Sequence, residues 1–118
     1  MKLIHNKKVI LPEMKKVSSF AGLGRGLTFT RKKTGERGLF MDLPKYMQKS
    51  KKRASLTNLF VFYSIDCLFL DENLKVVDKT TMHSFQLSYT PKKECRYIIE
   101  SIKNKFKDIK IGDKIQIK

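Results

Sequence analysis

The 118-residue sequence has no tryptophan, only two cysteines and three prolines, and far fewer acidic than basic residues. Its longest uninterrupted apolar run, Leu59 to Tyr63, is much shorter than the roughly 20 residues that a membrane-spanning helix needs. The N-terminus lacks an apolar stretch followed by a small-residue cleavage site, so no secretory signal is expected. These absences predict a soluble, cytoplasmic protein with no membrane association.

The two cysteines and two histidines form no recognisable metal, redox or catalytic motif. Cys67 and Cys95 lie in apolar sequence without CxxC spacing, so we expect reduced, buried thiols rather than a disulfide. His5 and His83 have no second ligand or triad partner at a useful spacing. The sequence therefore predicts no metal site, no cofactor and no catalytic residue, and it favours a binding or structural module over an enzyme.

Positive charge dominates the composition, since 26 lysines and arginines against 11 acids give a net charge of +15. Such an excess usually indicates an anionic partner, and nucleic acid or another polyanion is the partner that we expect. A lysine-rich proteome would give the same excess without a binding role, so that alternative stays open. The candidate polyanion-binding residues lie in two basic segments and are Arg31, Lys32, Lys33, Lys49, Lys51, Lys52 and Arg53.

The most apolar part of the chain, residues 56–79, predicts the central strands of the fold. Aromatic and β-branched residues dominate it, and Asp71 and Asn73 mark a turn within it. Shorter apolar or alternating stretches predict further strands, within residues 1–11 and over residues 27–30, 39–43, 97–100 and 114–117. We therefore predict a single, monomeric α+β domain over residues 1–118, with a mostly antiparallel, curved or barrel-like sheet and one or two short helices.

Two stretches have the spacing of helices. Residues 12–20 begin with proline and repeat apolar residues every three to four positions, and residues 101–107 continue a similar spacing after the predicted strand. Residues 80–88 have little pattern and are interpreted as a loop. The three glycines within residues 22–26 follow the first predicted helix and indicate a tight turn, because a phosphate-binding loop would place them after a strand.

Several short blocks stand in a fixed order from about Phe20 to the C-terminus. They are RGLTF at 25–29, LFVFYSIDCLFLD at 59–71, VV at 76–77, YTP at 89–91, RYIIE at 96–100 and IGDKI at 111–115. Together they resemble domain-of-unknown-function family one hundred and ninety-two, and its archaeal branch most closely. Thr28 stands where that family usually has methionine, and Ser64 where it usually has proline. The resemblance implies a compact, mostly β domain with minor helices, and it implies no activity because none is established for the family.

Asp66 is the acid that interrupts the apolar centre. Strand geometry places it at a buried or half-buried position, where an unpaired carboxylate would be costly. Arg25, set among glycines, is the predicted partner, because a planar guanidinium can approach a strand closely there. Arg25 and Asp66 are therefore the candidate ligand-binding residues, with a structural ion pair or a carboxylate bonded to the backbone as the alternative.

Three classes of function remain. A module that binds through its basic periphery would bring residues 31–33 and 45–53 onto one face. An enzyme or small-ligand-binding domain would bring Asp66 together with Arg25 or His83 in a pocket. A protein-interaction domain would present an exposed strand edge or an apolar patch. Only the first class draws support from the composition.

Overall fold

In this computed structural model, the described residues are 1–17, 37–43, 64–83, 89–102 and 104–118. Strands account for most of the secondary structure there, and almost no helix is present in these ranges. The strands are β1 (Leu3–His5), β2 (Lys8–Leu11), β3 (Lys15–Val17), β4 (Leu39–Asp42), β5 (Ile65–Leu70), β6 (Val76–Met82), β7 (Tyr97–Ile102) and β8 (Gln116–Ile117). They form two sheets.

The smaller sheet has three antiparallel strands in the order β2-β1-β8. A two-residue turn joins β1 to β2, and its residues Asn6 and Lys7 both have positive φ values, 51° and 65°. Such a turn matches the twist of the two strands that it connects. The sheet thus joins the N-terminal hairpin to the last strand of the chain.

The larger sheet has five strands in the order β3-β4-β7-β5-β6. Among the described strands its one parallel pair is β3 with β4, in which Lys15 lies beside Leu39. The other three pairs are antiparallel, and β5 occupies a central position between β7 and β6. The prediction of a mostly β, largely antiparallel fold is confirmed for these ranges.

Both faces of the larger sheet are buried at its interior strand β5. Every residue of β5 is buried, with Cys67 and Phe69 in one apolar cluster and Leu68 and Leu70 in the other. The second cluster also holds side chains of the smaller sheet, including Leu3. A strand covered on both sides has no polar face, which is why this part of the sequence is apolar without alternation.

The predicted barrel is wrong for the described part of the chain, where the strands form two sheets and no closed ring. The sheets approach each other at residues 112–115, where an isolated bridge pairs Lys75 with Lys114. Beyond that bridge the chain turns away from β6, because β8 pairs with β1 instead. In the described part of the chain the larger sheet is therefore open, with β3 and β6 as its edge strands.

Two helix predictions are also wrong where the structure can test them. Residues 15–17 form strand β3, which is stabilised by pairing with β4 rather than by local spacing. Strand β7 continues to Ile102, and residues 104–108 form turns. Lys79 on β6 holds this segment in place: its ammonium group donates hydrogen bonds to the backbone carbonyls of Phe106 and Ile109, at 2.6 and 2.7 Å.

Some of the remaining predictions are confirmed, one is wrong in part, and others cannot be compared with the structure. Strand β4 confirms the prediction over residues 39–43, and the hairpin of β5 and β6 confirms the described part of residues 56–79, which is 64–79. The predicted loop over residues 80–88 is wrong at its start, because β6 continues to Met82. The strand, turn and loop predictions over residues 22–36 and 45–55 lie outside the described residues.

Candidate functional site

Asp66 lies on β5 and is only 5% exposed, as its sequence context predicted. One carboxylate oxygen accepts a hydrogen bond from the hydroxyl of Thr81 at 2.6 Å, and the other accepts one from the backbone N–H of Asn104 at 2.8 Å. Thr81 is its cross-strand neighbour on β6, whereas Asn104 follows the end of β7. These bonds agree with the structural alternative, in which the carboxylate holds the turn after β7 against the sheet.

The other candidate site residues lie outside the described residues. Arg25 is one, so its pairing with Asp66 stays a prediction. The same holds for the seven basic residues chosen as polyanion ligands: Arg31, Lys32, Lys33, Lys49, Lys51, Lys52 and Arg53. Of the two histidines, His5 is buried at 6% exposure and its Nε2 atom lies 2.9 Å from Oδ2 of Asp113.

Asp78 is a buried acid that the sequence did not single out, because polar residues follow it on β6. It is 1% exposed, and its carboxylate accepts hydrogen bonds from the Tyr89 hydroxyl at 2.6 Å and from the backbone N–H groups of Lys79 and Lys92. Burial and this carboxylate raise the pKa of Tyr89 to about 12. Asp78 therefore fastens the segment around residues 89–92 to the edge strand.

Glu100 is a second buried acid that sequence reasoning missed, and it is 3% exposed. It lies on β7 directly opposite Cys67, so both side chains point to the same face of the larger sheet. Burial, the Glu100 carboxylate and the Asp66 carboxylate raise the pKa of the Cys67 thiol well above its usual value. The thiol is thus held protonated, and within the described ranges no group of three or more metal-ligating side chains surrounds it.

Four exposed lysines lie where the smaller sheet approaches the turn between β5 and β6. Backbone hydrogen bonds run in both directions between Lys2 and Lys118, and Lys75 and Lys114 form the bridge. Residues directly opposite on antiparallel strands point to the same face. Lys114, Gln116 and Lys118 are exposed and alternate with the buried Ile115 and the half-buried Ile117, so Lys114 and Lys118 lie on the same side of this segment. We call this surface the lysine face, and its residues are Lys2, Lys75, Lys114 and Lys118, with Ile4, Val9 and Gln116 between them.

The lysines of this face stand in two directly opposed pairs of like charge. For Lys75 and Lys114, the flanking N–H groups of Val76 and Ile115 bond across the pair, to Asp113 and Leu74. That pattern marks the narrow type of antiparallel pair, in which side chains lie closest together. Like charges at such positions repel each other and lower stability.

Two carboxylates lie nearby, and both are committed to other groups. Oδ1 of Asp71 accepts the backbone N–H groups of Asn73 and of Lys75 itself, at 2.9 Å each. The second carboxylate belongs to Asp113. It accepts a hydrogen bond from the backbone N–H of Lys110 at 3.0 Å and contacts His5. The Lys110 hydrogen bond is the main cause that lowers the pKa of Asp113, with His5 adding to it. Asp71 and Asp113 are only partly exposed, whereas all four lysines of the lysine face are exposed.

Comparison with known proteins places the chain among uncharacterised sequences. The model of the family DUF192, described as Uncharacterized ACR, matches residues 3–117. A UPF0127 protein of Pyrococcus horikoshii is 38% identical over 87 residues, covering 67% of this chain and 75% of the relative. A UPF0127 protein of Pyrococcus furiosus is 29% identical over 87 residues, covering 67% and 74%. The archaeal character of the resemblance is confirmed, and the match extends further toward the N-terminus than predicted.

A solved structure has the same fold at much lower identity. It is the crystal structure of a protein of unknown function from Novosphingobium aromaticivorans, and it superposes with a TM-score of 0.73 at 16% identity. The match covers 88% of this chain and 74% of that chain. In the described part of this chain, no helix is long and apolar enough to cross a membrane.

Proposed function

This chain belongs to the DUF192 family, and because that family is uncharacterised we propose a function from the chain's own surface: it is a module that binds polyanions through the lysine face. The observation that carries the proposal is the pair of cross-strand lysine contacts, Lys75 with Lys114 and Lys2 with Lys118. Each contact costs stability, because like charges lie directly opposite each other. An anionic partner would turn this cost into binding energy.

The spacing of the two pairs favours an extended anion over a small one. Lys114 and Lys118 are four residues apart in the sequence, and an extended chain of that length spans about 13 Å. A single phosphate or carboxylate cannot bridge both pairs over that distance. A chain of linked anionic groups can, and each lysine that contacts such a chain releases counterions, so affinity should depend steeply on salt.

The test measures binding of a fluorescent single-stranded oligonucleotide of generic sequence at several salt concentrations. The double variant Lys75→Gln/Lys114→Gln removes one lysine pair, and the matched control Lys93→Gln/Lys105→Gln removes two exposed lysines elsewhere. We expect the first variant to lower the slope of log affinity against log salt by about 1.4, at roughly 0.7 per lost phosphate contact. We expect the control to leave the slope unchanged, although its net charge is the same.

Two results would reject the proposal. If the wild-type protein does not bind at low salt, the positive charge is a compositional bias without a binding role. If the control variant loses as much affinity and slope as the lysine-face variant, the attraction is diffuse and no particular face is responsible.

The basic segment over residues 49–53 is a second place where the same polyanion could bind. The sequence predicts that reversing Lys51, Lys52 and Arg53 to glutamate lowers the slope of log affinity against log salt by about 3. Three contacts are lost, and each releases roughly one counterion. A slope that does not change would restrict the binding surface to the lysine face.

A further inference from the structure

Arg96, just before β7, lies against an aromatic ring and also forms an ion pair with Asp42. Its guanidinium carbon lies 5.3 Å from the centre of the Tyr97 ring, and the Tyr97 ring in turn stacks on Phe40 with 5.1 Å between ring centres and an angle of 27°. The side chain of Arg96 is 33% exposed. The structure therefore presents a planar cation, supported by two stacked rings, at the protein surface.

The ion pair of Arg96 is too weak to explain this placement. One guanidinium nitrogen, Nη2, lies 3.3 Å from Oδ1 of Asp42, which is longer than a strong charge-assisted hydrogen bond. The Nε atom is buried and donates no hydrogen bond within the part of the chain that is described. An arginine that served only to bind a carboxylate would use two donors in a fork. The contact of the guanidinium with the Tyr97 ring therefore contributes to the placement of Arg96, together with this single ion pair.

Arg96 lies at the same end of the larger sheet as the first lysine pair. Its N–H group donates to the carbonyl of Leu70 at 2.7 Å, on one side of the end of β5. On the other side, the N–H group of Asp71 donates to the carbonyl of Lys75 at 3.0 Å. Two strand spacings thus separate the backbones of Arg96 and Lys75, or about 10 Å. A ligand of modest length can contact both residues at once.

We infer that the polyanion is single-stranded nucleic acid, one base of which stacks on Arg96 while neighbouring phosphates bind Lys75 and Lys114. This inference rests on the proposed function, because it specifies the ligand of the same surface. A sulfated polysaccharide or a polyphosphate would satisfy the lysines but has no flat aromatic group to place on the guanidinium. A base in a duplex is already stacked on its neighbours, whereas a single strand offers bases with free faces.

The experiment compares an oligothymidine strand with an abasic strand of the same length, built on tetrahydrofuran residues, which carries the same phosphates without bases. Binding to each is measured at one fixed salt concentration. We expect the wild-type protein to bind the thymidine strand about 5- to 100-fold more tightly, as one stacked base would provide. Arg96→Lys keeps the charge but removes the planar group, and it should abolish this preference. Lys75→Gln/Lys114→Gln is the matched control, which should weaken both strands alike and keep the preference.

A second measurement does not depend on how well the arginine variant folds. A strand that carries 5-iodouracil is irradiated in complex with the wild-type protein, and the cross-linked peptide is identified by mass spectrometry. We expect a cross-link within the peptide that contains Arg96 and Tyr97. Cross-links confined to other aromatic residues would overturn the inference.

The outcomes separate the two proposals. Equal wild-type affinity for the thymidine and abasic strands would overturn the base-stacking inference and leave polyanion binding in place. A preference that survives in the Arg96→Lys variant would overturn it as well. Failure of the wild-type protein to bind either strand would reject the proposed function itself.

Discussion

Replacing Asp66 tests whether this buried carboxylate is held by hydrogen bonds alone or also by a buried cation. Its two oxygens accept hydrogen bonds from the Thr81 hydroxyl and from the Asn104 N–H group. Asp66→Ala leaves both donors without their acceptor, and a hydrogen bond to a charged group contributes about 1.5 to 3 kcal/mol. We therefore expect the free energy of unfolding to fall by about 3 to 6 kcal/mol.

Asp66→Asn is the informative variant, because it keeps the shape of the side chain. The amide oxygen can still accept the N–H group of Asn104, and the amide nitrogen can donate to the Thr81 hydroxyl, which can rotate to accept it. Only the added strength of a charged acceptor is lost. We expect a loss of about 1 to 2 kcal/mol, clearly smaller than the loss in the alanine variant.

A buried arginine beside Asp66 would give a different result. If the predicted pairing with Arg25 exists in the folded protein, Asp66→Asn would leave a buried charge without compensation and cost about 3 to 5 kcal/mol. The asparagine and alanine variants would then be nearly equal. Equal losses would refute the hydrogen-bond explanation and support Arg25 as a partner, which a double-mutant cycle with Arg25→Ala could measure.

The assay is urea unfolding followed by far-ultraviolet circular dichroism, since the sequence has no tryptophan to report by fluorescence. Asp108→Asn serves as the control, because it makes the same chemical change at an exposed position. It should alter stability by less than about 0.5 kcal/mol. The urea dependence of the free energy should be the same in all variants, so that the differences reflect stability alone.

Three further predictions follow from buried or constrained positions. Burial raises the pKa of the Cys95 thiol from 9.0 to about 12, so stability should fall as the pH rises through this range. In urea titrations at several pH values, Cys95→Ala should lose less stability than the wild-type protein as the pH rises. An equal loss in both proteins would contradict the contribution of the Cys95 thiol. The Lys110 hydrogen bond lowers the pKa of Asp113 from 3.8, so its contribution should be lost as the pH falls below that value. Asp113→Asn should therefore lose less stability than the wild-type protein as the pH falls. If both proteins lose the same amount, the Asp113 carboxylate does not contribute to the acid sensitivity. Gly38 has a φ value of 87°, and an added Cβ would lie 2.7 Å from Leu11 Cδ1. Gly38→Ala should therefore lower the free energy of unfolding by about 2 to 4 kcal/mol, measured by thermal or urea unfolding. A variant as stable as the wild-type protein would contradict the close contact.

The sequence predicted strands best where burial on one or both faces determines the residue types. Strand β5 is apolar because both faces are covered, and β4 is apolar for the same reason. The short strand β3 was predicted as part of a helix, because three-residue strands carry too little pattern to identify them. Its conformation comes from pairing with β4, more than twenty positions further along the chain. Local spacing contains no information about a partner at that distance.

The candidate site was predictable only in part for a similar reason. Asp66 was found because apolar residues surround it on both sides in the sequence. Asp78 was missed because three polar residues follow it, and Glu100 because it stands at the end of the strand predicted over residues 97–100. The burial of both acids arises from segments that come from elsewhere in the chain. The lysine face was missed as well, because the bridge between Lys75 and Lys114 joins positions 39 residues apart.

The pairing of β1 with β8 also constrains the order in which the protein can fold. Leu3 lies beside Ile117, so β1 cannot complete its sheet until the 113 residues between these two positions have been synthesised. Closing a loop of this length costs about 4 kcal/mol in chain entropy, and a hairpin such as β1 with β2 is barely stable by itself. Until then one edge of β1 stays open, available to pair with another nascent chain. The smaller sheet, and the lysine face with it, is therefore a late product of folding.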